Sequence, residues 1–484
     1  MVLDKDLLSI QDVREAVKRA KEAQKIFEQL SQEEVDKAVA HLANRLYDRA
    51  EELAKMAVEE TGFGNVPDKI IKNQFATKRL LETMQGMKTR GIVREDSVNK
   101  IMEIATPLGV VAGLVPSTNP TSTTIYKSLI SLKSGNAIVL SPHPSALKCI
   151  SKTVEYLNAA CREIGLPEGL INHLQYPTIE ATSALMSHND VSMILATGGS
   201  AMVKAAYKSG TPALGVGPGN VPAFIERSAD ITKAVRRIID SKTFDNGVIC
   251  ASEQEVVTET IISKEVIQEF TRQGGYFVTS EEKLALEKII AKPTGGLNPK
   301  IVGKTAIEIA RMAGVEVPAN TKVILAFETK VGKGYPFSME KLSPLLGFYI
   351  EDNWHAACER CMELLHYDGI GHSLSIHSED DAIIREFALK KPASRILVNT
   401  SSSQGGVGAT TNLAPAFTLG CGAVGGSATS DNVTPLHLLN IRRVAYGVRE
   451  AAELKAQPNN TCNNQEDYTD LIVKKVLEQI KNFK

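Results

Sequence analysis

Phe244-Asp245-Asn246-Gly247-Val248-Ile249-Cys250-Ala251-Ser252-Glu253-Gln254 is the stretch on which the reading of this 484-residue chain turns. Cys250 follows an Asp-Asn-Gly turn and an apolar pair, and precedes Ala251 and Ser252, whose small side chains leave its sulfur room for a substrate carbon. That setting makes Cys250 the candidate nucleophile. A cysteine attacks as thiolate, which is scarce at neutral pH unless backbone N–H groups or a nearby dipole lower its pKa. As one of seven cysteines it would ordinarily pass for a buried apolar residue, and only its neighbours argue otherwise.

Outward from this segment the chain alternates. Val110–Val115, Ala137–Leu140 and Met193–Ala196 are short apolar runs ending in Pro, Ser or Gly turns, with helical patterns at Tyr126–Leu132 and Ala146–Ile164 between them. A second alternation follows, with strands expected at Lys322–Phe327, Leu346–Ile350 and Arg395–Asn399. Such alternation implies parallel sheets covered by helices, with ligands beyond the carboxyl ends of the strands. Ahead of it, Ser31 and Glu34 have capping-box spacing before Val35, Ala38, Leu42 and Leu46. Asn99–Ala105 and Val110–Val115 read as a strand pair.

FDNGVICASEQ resembles the active-site segment of the CoA-acylating branch of the aldehyde dehydrogenase superfamily. The resemblance runs to about residue 450, and is close to the aldehyde dehydrogenase half of bifunctional aldehyde-alcohol dehydrogenases and to ethanolamine- and propanediol-pathway enzymes. It implies an α/β fold with a Rossmann-like NAD-binding domain over residues 1–233, interrupted by an oligomerisation hairpin near 97–110. An α/β catalytic domain with Cys250 would occupy 234–415, and 416–450 would return to the cofactor domain and an oligomerisation segment. A homodimer or homotetramer is expected. No iron-dependent alcohol dehydrogenase segment follows, so alcohol formation is not expected.

The same resemblance assigns the site residues. A G-x-G-x-x-G fingerprint is absent, and two loops stand in its place: Ser141-Pro142-His143-Pro144 at the adenosine ribose, and Thr197-Gly198-Gly199-Ser200 at the pyrophosphate. By themselves a Gly-Gly turn and a lone histidine would be a turn and a surface side chain. Gly215-Val216-Gly217-Pro218-Gly219-Asn220, with Gly217 at the cofactor, stands where hydrolytic relatives carry a Glu-Leu-Gly-Gly segment whose carboxylate activates water. Without that acid a thioester on Cys250 should await a thiol, coenzyme A, rather than water. Asn119, in Pro116-Ser117-Thr118-Asn119-Pro120, would complete an oxyanion hole with the Cys250 N–H, a contribution on the order of 3 kcal/mol in comparable sites. Glu340 matches the residue holding the nicotinamide ribose, and a solvated surface acid is an equal reading of its sequence. His372 receives no chemical role.

The expected reaction is oxidation of a short aldehyde, acetaldehyde or propionaldehyde, with NAD and coenzyme A. NADP, succinic semialdehyde, sulfoacetaldehyde and a hydrolytic enzyme are the alternatives. Composition fits: 43% hydrophobic and 23% charged residues describe an ordinary globular chain, and a net charge of −1 offers no field for nucleic acid or an anionic membrane. No apolar run approaches the roughly 18 residues of a membrane span, and the first residues lack a secretory core, so a cytosolic location is expected. Seven cysteines without regular spacing point to reduced thiols. Cys358 and Cys361 fit the apolar stripe of a helix, and no metal is assigned. Residues 451–467 read as a polar linker and 468–484 as an amphipathic helix resembling the encapsulation peptides of bacterial microcompartments, where it would contact a shell or co-cargo.

Overall fold

The computed structural model describes residues 4–293, 295–451 and 472–478. Its strands, in chain order, are β1 (Gly91–Asp96), β2 (Ile101–Pro107), β3 (Val110–Val115), β4 (Ala137–Pro142), β5 (Ile171–His173), β6 (Val191–Thr197), β7 (Ala213–Val216), β8 (Val221–Ile225), β9 (Glu253–Glu259), β10 (Gly275–Phe277), β11 (Val323–Phe327), β12 (Leu345–Glu351), β13 (Gly371–His377), β14 (Ala393–Val398) and β15 (Leu439–Ala445).

Five of them form a parallel sheet in the order β5-β4-β3-β6-β7, with Gly113 of β3 opposite Leu140 on one side and Leu195 on the other. The runs read from the sequence as β3, β4 and β6 are buried because helices cover both faces; every residue of β3 and β4 is buried, which is why they are apolar without alternation. Among the covering helices, Gln32–Tyr47 opens with the expected capping box: Ser31 Oγ accepts from the Glu34 N–H and the Glu34 carboxylate accepts from the Ser31 N–H at 2.7 Å. The chain runs from β3 to β4 and β5, then returns past β3 to β6 and β7. The crevice where the order reverses lies beyond the carboxyl ends of β3 and β6.

Seven further strands form a second parallel sheet, β10-β11-β12-β9-β8-β13-β14. Since β8 pairs with β9 and β13, the change from one sheet to the other falls at Gly217–Asn220, ahead of the expected boundary at residue 233. Residues 416–438 pack back onto the five-stranded sheet, where Ala416, Leu419, Cys421, Val433 and Leu438 join its core. The helix Trp354–Tyr367 buries Cys358 and Cys361 on its inner face.

The remaining unit, Ile92–Ile104 with the chain from Ile441 onward, is built on a three-stranded sheet in the order β1-β2-β15. Here the expected strand pair is corrected. The partners of β2 are β1, which sequence reading had not marked as a strand, and β15, while β3 is central to the five-stranded sheet. Within this unit Arg443 Nε pairs with the Glu103 carboxylate at 3.1 Å. Residues 472–478 are helical and exposed; the rest of the expected linker and tail helix lies outside the described residues. Among the described residues no helix is long and apolar enough to cross a membrane.

Candidate active site

A cavity of about 620 Å³ lies between the carboxyl ends of the five-stranded sheet and the amino ends of the seven-stranded one. From the first sheet come the segments after β3 (Val115–Asn119), β4 (Ser141–Pro144), β6 (Thr197–Ser200) and β7 (Val216–Pro218). The second supplies Val248–Cys250 ahead of β9 and Met339–Leu342 ahead of β12. All the residues singled out in the sequence line this one cavity: Asn119, Ser141, Pro142, His143, Thr197, Gly198, Gly199, Ser200, Gly217, Cys250 and Glu340.

Cys250 is half-buried at the cavity wall. Burial pushes its thiol up to about 12, Glu340 and Cys421 add to that, and Arg395 and the Cys250 N–H oppose it. The resting sulfur is therefore protonated and needs a base. That base stands beside it: His372 Nε2 is 3.2 Å from Cys250 Sγ, and its Nδ1 is 3.0 Å from Ser373 Oγ. In the tautomer that donates Nδ1–H to Ser373, the Nε2 lone pair faces the thiol. Burial holds the His372 pKa well below 6.5, and Arg395 lowers it further, so the imidazole is neutral at physiological pH. Arg395 in turn donates to the His372 carbonyl at 2.8 Å, to the Gly420 carbonyl at 2.7 Å and to Ser373 Oγ at 3.2 Å, which fixes the strand end that carries the imidazole.

Sequence reading gave His372 no role. It lies 122 residues from Cys250, and Gly371-His372-Ser373 offers only a resemblance to family segments around the substrate mouth, with no sign that the ring faces the sulfur. A usable clue lies in the other partner of this approach. A Cβ on Gly219 would sit 1.8 Å from the Cys250 carbonyl oxygen and 3.2 Å from the His372 ring, so the loop Gly215–Asn220 reaches the nucleophile only because this position is glycine.

Asn119 precedes the helix Pro120–Lys133 without capping it through its side chain. Instead its Nδ2 donates to the Val248 carbonyl at 3.2 Å and its Oδ1 accepts from Lys72 Nζ at 2.7 Å. The amide thus lies against the segment that carries Cys250. Its second N–H remains for an oxygen in the cavity.

Glu340 departs from the surface acid its sequence suggests. It is half-buried, and Oε1 accepts the Gly219 N–H at 3.0 Å. Burial pushes its carboxyl up to about 8, with Asp368 adding and the Gly219 N–H, Lys242 and Lys341 opposing. A carboxylic acid that is mostly protonated at neutral pH is a poor activator of water.

The cofactor loops are less tied down. Gly199 precedes the helix Ser200–Lys208 and gives it no side-chain cap, so its first N–H groups are open to an anion. A Cβ on Gly199 would meet nothing within 4 Å, and one on Gly198 only Met202 at 3.7 Å, which leaves the space a pyrophosphate needs. Thr197 Oγ1 lies 3.3 Å from Thr418 Oγ1, and Ser141 Oγ 2.8 Å from Thr182 Oγ1. His143 is exposed and accepts the Ser145 N–H through Nδ1 at 3.2 Å. These groups fit a dinucleotide. Among the described residues no cluster of three or more metal-ligating side chains occurs.

Residues 6–276 match the model of the aldehyde dehydrogenase family. The chain is 45% identical over 442 residues to the bifunctional aldehyde-alcohol dehydrogenase of Escherichia coli K12, covering 90% of this chain and 50% of that relative, so it spans about half that relative's length. A probable aldehyde dehydrogenase from Listeria monocytogenes superimposes with a TM-score of 0.92 at 57% identity, over 93% of this chain and 100% of its own. An acetylating aldehyde dehydrogenase from Geobacillus thermoglucosidasius gives 0.91 at 52%, over 93% and 99%.

Proposed function

The chain belongs to the aldehyde dehydrogenase family, and on that premise we propose that it oxidises a short, uncharged aldehyde with NAD and coenzyme A to acyl-CoA and NADH, reversibly. The observation that carries the reading is the group beside the sulfur: a neutral, weakly basic imidazole rather than an ionised carboxylate. Cys250 Sγ adds to the aldehyde carbon as its proton passes to His372 Nε2, and the carbonyl oxygen is received by the Asn119 side-chain N–H and the Cys250 backbone N–H. NAD, held by Thr197–Ser200, Ser141–His143, Gly217 and Glu340, supplies the hydride acceptor.

Release of the acyl group follows from acidity. A thiol ionises near pH 8.5, whereas water has a pKa near 15.7, so a weak imidazole base reaches a thiol far more easily than water. Loop Gly215–Asn220 contributes no acid, and Glu340 stays protonated at neutral pH. Once that first proton has left His372 for solvent, the imidazole takes the proton of the coenzyme A thiol, whose sulfur displaces Cys250 from the acyl carbon, and returns it to the departing Cys250 sulfur.

The charge of the cavity wall narrows the substrate. No Lys or Arg is among the described residues that line it. A carboxylate or sulfonate at the far end of succinic semialdehyde or sulfoacetaldehyde would be buried there without a partner, which is costly. Acetaldehyde or propionaldehyde suits walls such as Phe417, Val407 and Ile249. The same lack of a cation beside Ser141–His143 favours NAD over the 2′-phosphate of NADP. The exposed three-stranded sheet offers an open edge through which a second copy would pair, giving a homo-oligomer. The amphipathic pattern of 468–484 supports docking onto a microcompartment shell or co-cargo, within the cytoplasm.

Assays of a small aldehyde panel with NAD or NADP, with and without coenzyme A, test this directly. NADH should form from acetaldehyde or propionaldehyde only with coenzyme A, and acyl-CoA should be the product. Free acid formed at the full rate without coenzyme A would overturn the reading.

A further inference from the structure

Behind the Asn119 amide stands a buried charged cluster that the reaction as described does not use. Lys69 and Lys72, one turn apart on the helix Val66–Gln74, both pair with the buried Asp245 carboxylate. The Lys72 ammonium also donates to Asn119 Oδ1 at 2.7 Å and to the Val248 carbonyl at 2.9 Å, so its three N–H bonds all have acceptors. Lys69 donates to the Thr118 carbonyl at 3.0 Å. Every one of these acceptors belongs to the segment ending in Asn119 or to the loop leading into Cys250.

The loop is held in an unusual conformation. Asp245 and Asn246 have φ of 49° and 53°, left-handed values that Asp and Asn adopt more readily than other non-glycine residues and that turn the chain sharply ahead of Cys250. The Asp245 N–H donates to Asp68 at 2.7 Å, and its carboxylate accepts the Asn65 N–H at 2.9 Å. The helix start passes so close that a Cβ on Gly64 would sit 1.8 Å from Asp245 Oδ1. The charged pair is thus one piece with the backbone bearing the nucleophile.

Resting on the acylating reading, we propose that Lys72 is a positioning residue for that chemistry. By bonding Asn119 Oδ1 it fixes which edge of the amide meets the developing oxyanion. Through Val248 and Asp245 it ties that amide to the Cys250 loop. An asparagine amide can otherwise flip, presenting an acceptor where a donor is needed, and the ammonium on Oδ1 forbids that flip. The cation also polarises the amide toward stronger donation.

The test is a double-mutant cycle with Lys72→Met and Asn119→Ala, read as kcat, as KM for aldehyde and as the Kd for NAD. Lys72→Met should lower kcat by ~10²-fold, the scale of one lost oxyanion donor, with the NAD Kd unchanged. In the Asn119→Ala background the same change should cost less than about threefold, because its target is gone. Lys72→Gln, which keeps one donor, should fall between, and it serves in place of Lys72→Met if the latter does not fold. Fully additive losses, or a weakened NAD Kd with kcat preserved, would overturn the role. Cys250→Ala separates this from the underlying reading: persistent turnover there defeats the acylating mechanism, whereas additive Lys72 losses with an inert Cys250→Ala defeat Lys72 alone.

Discussion

The two ends of the active-site cavity are built on opposite plans. At the Cys250 end, Asn119, Lys72, Asp245, His372 and Arg395 are already engaged in hydrogen bonds to one another, to Cys250 and Ser373, or to the backbone. At the far end, Gly198, Gly199 and Ser200 present backbone and open space, and Gly199 and Ser200 are exposed. The contrast separates two tasks. A developing oxyanion must meet donors that need no rearrangement, so their geometry is set by the protein in advance. A dinucleotide brings its own charge and hydrogen bonds, and the protein needs only to leave its N–H groups free.

Substitutions at each end should therefore fail differently. Replacement of the nucleophile has the largest effect: Cys250→Ala should abolish coenzyme A-dependent NADH formation while NAD still binds, as titrated by fluorescence quenching. His372→Ala comes next, with kcat lowered ~10²- to 10⁴-fold, the usual range for a lost general base, and the KM for NAD within about threefold. Equal losses in both parameters would mean that the imidazole supports the fold rather than the proton.

Glu340→Gln, toward the cofactor end, should have the smallest effect on chemistry, a rise in the KM for NAD with kcat little changed. Its clearer signature is thermal. Burial holds the carboxyls of Glu253 and Glu255 up to about 7 and that of Glu340 up to about 8, against 4.5 in the unfolded chain. Between those values the native state keeps protons that the unfolded chain has released, so the contribution of these three carboxyls to stability falls as pH rises from about 5 to 8. Across that window the ligand-free Tm of Glu340→Gln should change less unfavourably with rising pH than that of the unsubstituted protein. An unchanged slope would show that Glu340 is not held protonated.

Much of the catalytic end was legible because it is local. The Asp-Asn-Gly turn, the small residues after Cys250 and the glycines of 215–219 lie in short contiguous segments, which is why their resemblance to family segments could be read. His372 and the contact of Glu340 with Gly219 are separated from their partners by more than a hundred residues, Lys72 lies 47 residues from Asn119 and 173 from Asp245, and nothing in VPDKIIKNQ names the partner. The strand pairing failed for a different reason, since β1 and β2 are adjacent in the chain. GIVRED is short, charged and exposed, so β1 left little periodic signal, and β2 found it rather than β3 only when the sheets assembled.

By itself the sequence determined the alternating α/β architecture and the absence of an acid from loop Gly215–Asn220, and it marked Cys250 as the candidate nucleophile through a family resemblance, because each is written in contiguous residues or a repeating apolar period. Tertiary structure alone decided that the His372 ring would face Cys250, that Lys72 would stand behind Asn119, and that Glu340 would be half-buried against Gly219 with its carboxyl pushed up. Those outcomes depend on desolvation and on contacts between distant strands and helices, which exist only once the two sheets have closed on one cavity.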